Sequence, residues 1–115
     1  MSTEKPLSNA ALHVLLAIGP EERHGYAIMA EVTRISGQTI RMGPGTLYGT
    51  LKKLLAENLI EEIADASGTP DDQRRRRYYR LTVAGRSVVA REVNGLERMM
   101  NRSGAREWAA GGPIE

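Results

Sequence analysis

Apolar residues recur at helical spacing in four stretches of the chain, and one late stretch reads instead as two short extended runs. Leu12, Leu15 and Leu16, widened by Val14 and Ile18, form the first stripe, which Gly19-Pro20 stops. Ser8 is placed to cap this helix, with Leu7 and Leu12 flanking the cap as a hydrophobic staple. The stripe is apolar nearly all round, which predicts burial on more than one side, against a second subunit as well as the chain's own core. A second helix is predicted from about His24 to Ser36, because Ile28, Val32 and Ile35 share one face and Gly37 supplies a left-handed stop.

The third helix starts at Pro44, a residue suited to a first helical position, after Gly43. Leu47, Leu51, Leu54 and Leu55 point inward, while Gly49, Lys53 and Ala56, flanked by Thr46 and Lys52, point outward. Asn58 tolerates left-handed geometry and ends it. Next come Leu59 to Ala64, a polar turn ASGTPDDQ, and RRRRYYRL, which together read as a β-hairpin with a basic second strand. Tyr79 and Leu81 share one side of that strand, and Tyr78 and Arg80 the other. Thr82 caps a fourth helix with the stripe Val89, Val93, Leu96 and Met100. That stripe lies far from the rest in sequence, so a partner's helix is the natural place to bury it.

Composition narrows the chemistry. With 115 residues, 41% of them apolar, the chain makes one small domain with a modest core. It has no cysteine, and His13 and His24 lack clustered carboxylates, so neither a metal nor a thiol nucleophile is expected. No stretch reaches the roughly 20 apolar residues that span a bilayer. The run from Ala10 to Ile18 lacks a cleavage pattern, and the chain reads as soluble and cytoplasmic. Net charge is only +2, but Arg74, Arg75, Arg76, Arg77 and Arg80 fall within seven residues free of acid.

The glycines at 43, 45 and 49 fit neither a Walker loop nor a dinucleotide-binding loop. A helix-turn-helix accounts for more of the same residues: a short helix, a glycine-containing turn, then a helix with small and basic groups outward. Thr46, Tyr48, Thr50 and Lys53 are then candidates for DNA contact, although Tyr48 reads equally as half core. Arg74 to Arg77 are suited to phosphates or a narrow minor groove; the alternative is a solvated loop neutralised by Asp71 and Asp72. His24 reads as structural at the start of the second helix, and Trp108 as a tail residue or a stacking platform. No nucleophile or orienting acid accompanies either histidine, so no enzyme is expected.

Three motifs in order, HGYAI (His24 to Ile28), GPGTLYGTLKKLLAENLI (Gly43 to Ile60) and RRRRYYRLTVAGR (Arg74 to Arg86), resemble the PadR family of transcriptional regulators. Gly49 stands where many members have proline, and Asn58 where glycine is common. The resemblance implies a mainly α winged helix-turn-helix over residues 1–81, with three helices and a two-stranded hairpin wing. It also implies a dimerisation helix over 82–103, and residues 104–115 read as a disordered tail. Dimer contacts are expected from Leu12, Leu16, Val89, Val93, Leu96 and Met100. The implied activity is that of a homodimeric repressor on a palindromic operator, released by a small-molecule effector and needing no cofactor. A winged-helix module for protein partners, or a ligand sensor without DNA readout, is the rival reading.

Overall fold

A computed structural model of the protein describes residues 7–64 and 77–109. Helix α1 spans Asn9–Ile18, and its cap is the expected one: Ala11 N–H donates to Ser8 Oγ at 3.1 Å. It ends at Gly19, whose φ of 75° is left-handed, just before Pro20. Val14, Leu15, Ala17 and Ile18 are buried, whereas Leu16 stays 39% exposed, so this helix is not covered all round within its own chain.

Strand β1, Glu22–His24, was not signalled by any alternation in the sequence. It pairs antiparallel with β3, Arg77–Leu81, in the register Glu22 to Arg80, Arg23 to Tyr79 and His24 to Tyr78. Strand β2, Ile60–Ala64, lies on the other side of β3, so the sheet order is β1-β3-β2. The hairpin expected to have two strands is thus part of a three-stranded sheet. The physical reason is that β3, flanked on both edges, carries the apolar residue that must be covered: Tyr79 is 4% exposed. The added strand supplies backbone groups rather than apolar side chains, and three polar residues leave no periodic trace.

Helix α2 spans Gly25–Ile35, with His24 as its cap: Nδ1 accepts from Ala27 N–H at 3.4 Å. Gly37 and Gln38 both take left-handed φ beyond its end, and Ser36 Oγ accepts from Ile40 N–H at 3.0 Å to fasten the turn. Helix α3 spans Pro44–Ala56 with proline in its first turn, and Asn58 at φ 60° closes it. Leu47, Leu51 and Leu54 are buried and Leu55 is half-buried. Together with Val14, Leu15, Ile18, Ile28, Val32, Ile60 and Tyr79 they make the core, between three helices and the inner face of the sheet.

Helix α4, Val83–Ser103, is welded to that unit at its start. Thr82 Oγ1 accepts from Gly85 N–H at 3.0 Å and donates to Asn58 O at 2.7 Å. Gly85 is buried where a methyl group would overlap the Leu59 carbonyl oxygen, so only glycine lets the helix start so close to that backbone. Arg86 Nη2 donates to Pro20 O, tying α4 to the loop after α1. Val88 and Val89 still pack on the core, but beyond them the helix leaves it. The molecule measures 62 × 37 × 22 Å, and its radius of gyration of 16.8 Å exceeds the about 13 Å expected of a rounded domain of this length. Part of the segment expected to be a disordered tail is ordered: Gly104 turns left-handed and α5, Ala105–Trp108, follows. Trp108 Nε1 donates to Ser103 O at 3.1 Å, which holds that turn against the end of α4. Residues 110–115, the rest of that segment, lie outside the described residues.

Candidate nucleic-acid interface

Because α3 buries its leucines, its other side faces out. Thr46, Lys52 and Lys53 are exposed, Tyr48 is 44% exposed, and Thr50 is half-buried. Thr50 Oγ1 donates to Thr46 O at 2.8 Å, so its hydrogen is engaged and an incoming group would find mainly its lone pairs. At Gly43, Gly45 and Gly49 an added methyl group would meet nothing within 4 Å. Glycine costs a helix interior about 1 kcal/mol relative to alanine, and nothing in the chain's own packing requires it at 45 or 49. The helix nevertheless runs unbroken through Gly49.

Tyr48 occupies both of the positions that the sequence left open. Part of it is exposed, and its ring end lies over Gly25, where β1 turns into α2. A methyl group on Gly25 would overlap Tyr48 Oη, lie 3.1 Å from Cζ and 3.4 Å from Cε1. Below it, burial pushes the Tyr79 phenol up to about 12, with further contributions from the negative charge of Glu62 and from the Tyr48 phenol nearby. Tyr79 therefore stays protonated at neutral pH and donates to Glu62 Oε2 at 3.5 Å. His24 stacks edge-on to Tyr78 with ring centroids 5.7 Å apart. Its place is the cap of α2, as expected.

Arg74, Arg75 and Arg76 lie outside the described residues; Arg77 and Arg80 are on β3. Both are paired with acids of the neighbouring strand: Arg77 Nη1 to Glu62 Oε2 at 3.1 Å and Arg80 Nε to Glu61 Oε2 at 2.7 Å. Sequence reasoning looked to Asp71 and Asp72 for neutralisation and missed Glu61 and Glu62. Hairpin register would have found them, since Glu61 stands directly opposite Arg80. Exposed pairs of this kind add little to stability, so a phosphate can replace the carboxylate on Arg77 at small cost.

The expected dimer residues fall into two sets. Leu12 and Val89 are half-buried, and Val89 touches the chain's own core. Leu16, Val93 and Leu96 are 39%, 36% and 42% exposed, and Met100 is half-buried near the free end of α4. An apolar groove of about 380 Å³ runs between α1, β3 and α4, lined by Leu15, Leu16, Leu81, Val89 and Val93 with Arg86 at its side. Among the described residues, no helix is long and apolar enough to cross a membrane.

Three packed helices, a three-stranded antiparallel sheet and a polar helix face beside it define a winged helix-turn-helix. The chain belongs to the transcriptional regulator PadR-like family, which it matches over residues 14–91. That family is one of transcriptional regulators. It is 36% identical over 95 residues to a 37.1 kDa protein in transposon TN4556 of Streptomyces fradiae, covering 83% of this chain and 25% of that protein. The chain thus spans a quarter of that relative's length. It is 35% identical over 88 residues to the transcriptional regulator Rv3488 of Mycobacterium tuberculosis, covering 76% of each. Among solved structures, Bacillus subtilis PadR in complex with operator DNA is similar with a TM-score of 0.65, at 24% identity, covering 77% of this chain and 48% of that one.

Proposed function

We propose that the chain is a cytoplasmic, sequence-specific repressor that binds a palindromic operator as a homodimer. In this reading α3 enters the major groove with Thr46, Thr50 and Lys53 toward the bases or phosphates and Tyr48 at its edge. Arg74 to Arg77 hold phosphates or the minor groove, and α1 and α4 form the dimer. The observation that carries it is the outward face of α3. There and at its cap, Gly45, Gly49 and Gly43 leave open space that none of the described residues fills. Close approach of a foreign backbone gives those glycines a reason. The operator DNA held by the Bacillus subtilis neighbour supports the same occupant. Two-fold symmetry sets half-sites about one helical turn apart, roughly 34 to 36 Å. The groove between α1 and α4 is where an effector that releases DNA would act, because it adjoins both the dimer helix and the DNA-binding unit.

The test is selection of bound duplexes from a random pool, followed by titration of the selected duplex at several salt concentrations. Each phosphate contact contributes about −0.9 to the slope of log K against log salt. A single enriched palindrome with a steep slope is the expected result. No enrichment and a flat slope would leave a protein-binding winged helix in its place.

A further inference from the structure

The HGY and TLY motifs are far apart in sequence, yet Gly25 and Tyr48 touch. We infer that they act as one matched pair that sets the tilt of α3 on the sheet, which makes Tyr48 a positioning residue for DNA recognition and not a reader of bases. The inference deepens the reading of α3 as the DNA-contacting helix and rests on it.

Space, not backbone conformation, is what glycine provides at 25. The residue is buried, it is absent from the positions with positive φ, and yet a side chain there would overlap Tyr48 Oη. Gly25 is also the hinge between two elements. Its predecessor His24 is paired with Tyr78 of β3 and caps α2. A ring seated on this residue therefore lies where β1 passes into α2. Tyr48 lies close enough to Tyr79 for one phenol to oppose ionisation of the other, which brings it near the central strand as well. That strand begins at Arg77, at the base of the arginine run. Beside the buried Leu47, Leu51 and Leu54, one ring on α3 thus bears on where Thr46 and Lys53 lie relative to β3. A rotation of α3 by a few degrees would move these groups relative to one another, and a direct base contact tolerates little displacement.

The pair makes a signature distinct from base reading. Gly25→Ala should lower affinity for the selected duplex by about tenfold, since the new methyl group must displace the ring. Tyr48→Phe removes the overlapping oxygen and keeps the ring, and so probes the overlap alone. Combined with Gly25→Ala it should restore most of the loss, although Cζ at 3.1 Å leaves some strain. Affinities are compared at a temperature where circular dichroism shows all four proteins fully folded, because a merely structural role would move the melting temperature and leave the folded protein's affinity alone. If Gly25→Ala does not fold, Tyr48→Leu tests the same claim with glycine in place: weaker binding to an unchanged selected sequence is expected. A changed selected sequence for Tyr48→Phe or Tyr48→Leu would overturn the inference, as would additive losses in the cycle or wild-type affinity in Gly25→Ala. Should the wild type select no duplex, the DNA reading itself fails. Coupling of the two residues in melting temperature would then mark a packing pair only and overturn the positioning role separately.

Discussion

The two ends of the molecule treat their apolar residues in opposite ways. From α1 through β3, most large apolar residues predicted to point inward are buried: Leu15, Ile28, Val32, Leu47, Leu51 and Leu54 are each 1% exposed or less. Along α4 beyond Val89 the same kind of periodic stripe meets solvent, with Val93 at 36% and Leu96 at 42%. Periodicity alone looks alike in the two regions. The difference teaches that the first stripe set is satisfied by local connectivity, whereas the second meets no covering surface among the described residues. Elongation of the chain beyond a rounded shape has the same cause, because a 21-residue helix runs for about 31 Å and only its first turns rest on the core.

If a second copy covers the distal stripe, its disruption should change assembly and leave the fold alone. Leu96→Glu places a charge in the middle of that stripe and is expected to convert dimers to monomers in sedimentation velocity, with far-UV circular dichroism unchanged. Unaltered dimers would break the contrast. A core substitution should do the reverse. Leu51→Ala is expected to destabilise by about 2 to 5 kcal/mol in chemical denaturation, the range for a fully buried leucine, whatever the protein concentration. A loss below about 1 kcal/mol would mean that the winged unit is packed less tightly than the burial of Leu51 implies.

Legibility in the sequence follows the same division. Caps made the helices readable: Ser8, Thr82 and Asn58 stand where side-chain oxygens or left-handed φ close an element, and these are local signals. The start of α4 was legible for that reason and the start of α3 from Pro44, while alternation along β3 parted Tyr79 from Tyr78 without saying which packs inward. Strand β1 was not, because its three polar residues gain their strand character from the edge of β3, some fifty residues later. The acids that pair with Arg77 and Arg80 were hidden in the same way, and hairpin register alone connects them. For the candidate site, the outward face of α3 could be listed from the sequence, but the dual placement of Tyr48 could not. Its seat depends on the missing side chain of Gly25, and a glycine in a sequence does not say which neighbour needs the room.

The joint between the two regions is open to a milder test. Thr82 caps α4 and also donates to Asn58 O, so it fastens the long helix to the end of α3. Thr82→Ala should cost about 1 to 2 kcal/mol, near the upper part of the range for a lost cap, since a second hydrogen bond goes with it. Thr82→Ser keeps both bonds and should recover most of that loss in the same thermal denaturation. Equal losses in the two variants would place the contribution in the methyl group and not in the hydroxyl.

The smallest effect is silent near neutral pH. Tyr79 sits in the core of the winged unit with its ionisation pushed from 10.0 up to about 12, first by burial and then by Glu62. For an acid whose folded pKa is raised, the neutral form is the one the fold favours. Its contribution is complete below pH 10 and is lost as pH rises from there through about 12, where the unfolded chain releases its proton more readily than the folded one. Unfolding of the wild type and of Tyr79→Phe, followed across that interval, should therefore differ by a constant amount up to pH 10. Above it the wild type should lose stability faster, because phenylalanine has no proton to release while the other tyrosines and the lysines titrate in both proteins. Parallel curves throughout would mean that the phenol already reaches solvent, and that the core of the winged unit is open at the very strand meant to separate its buried side from the exposed stripe of α4.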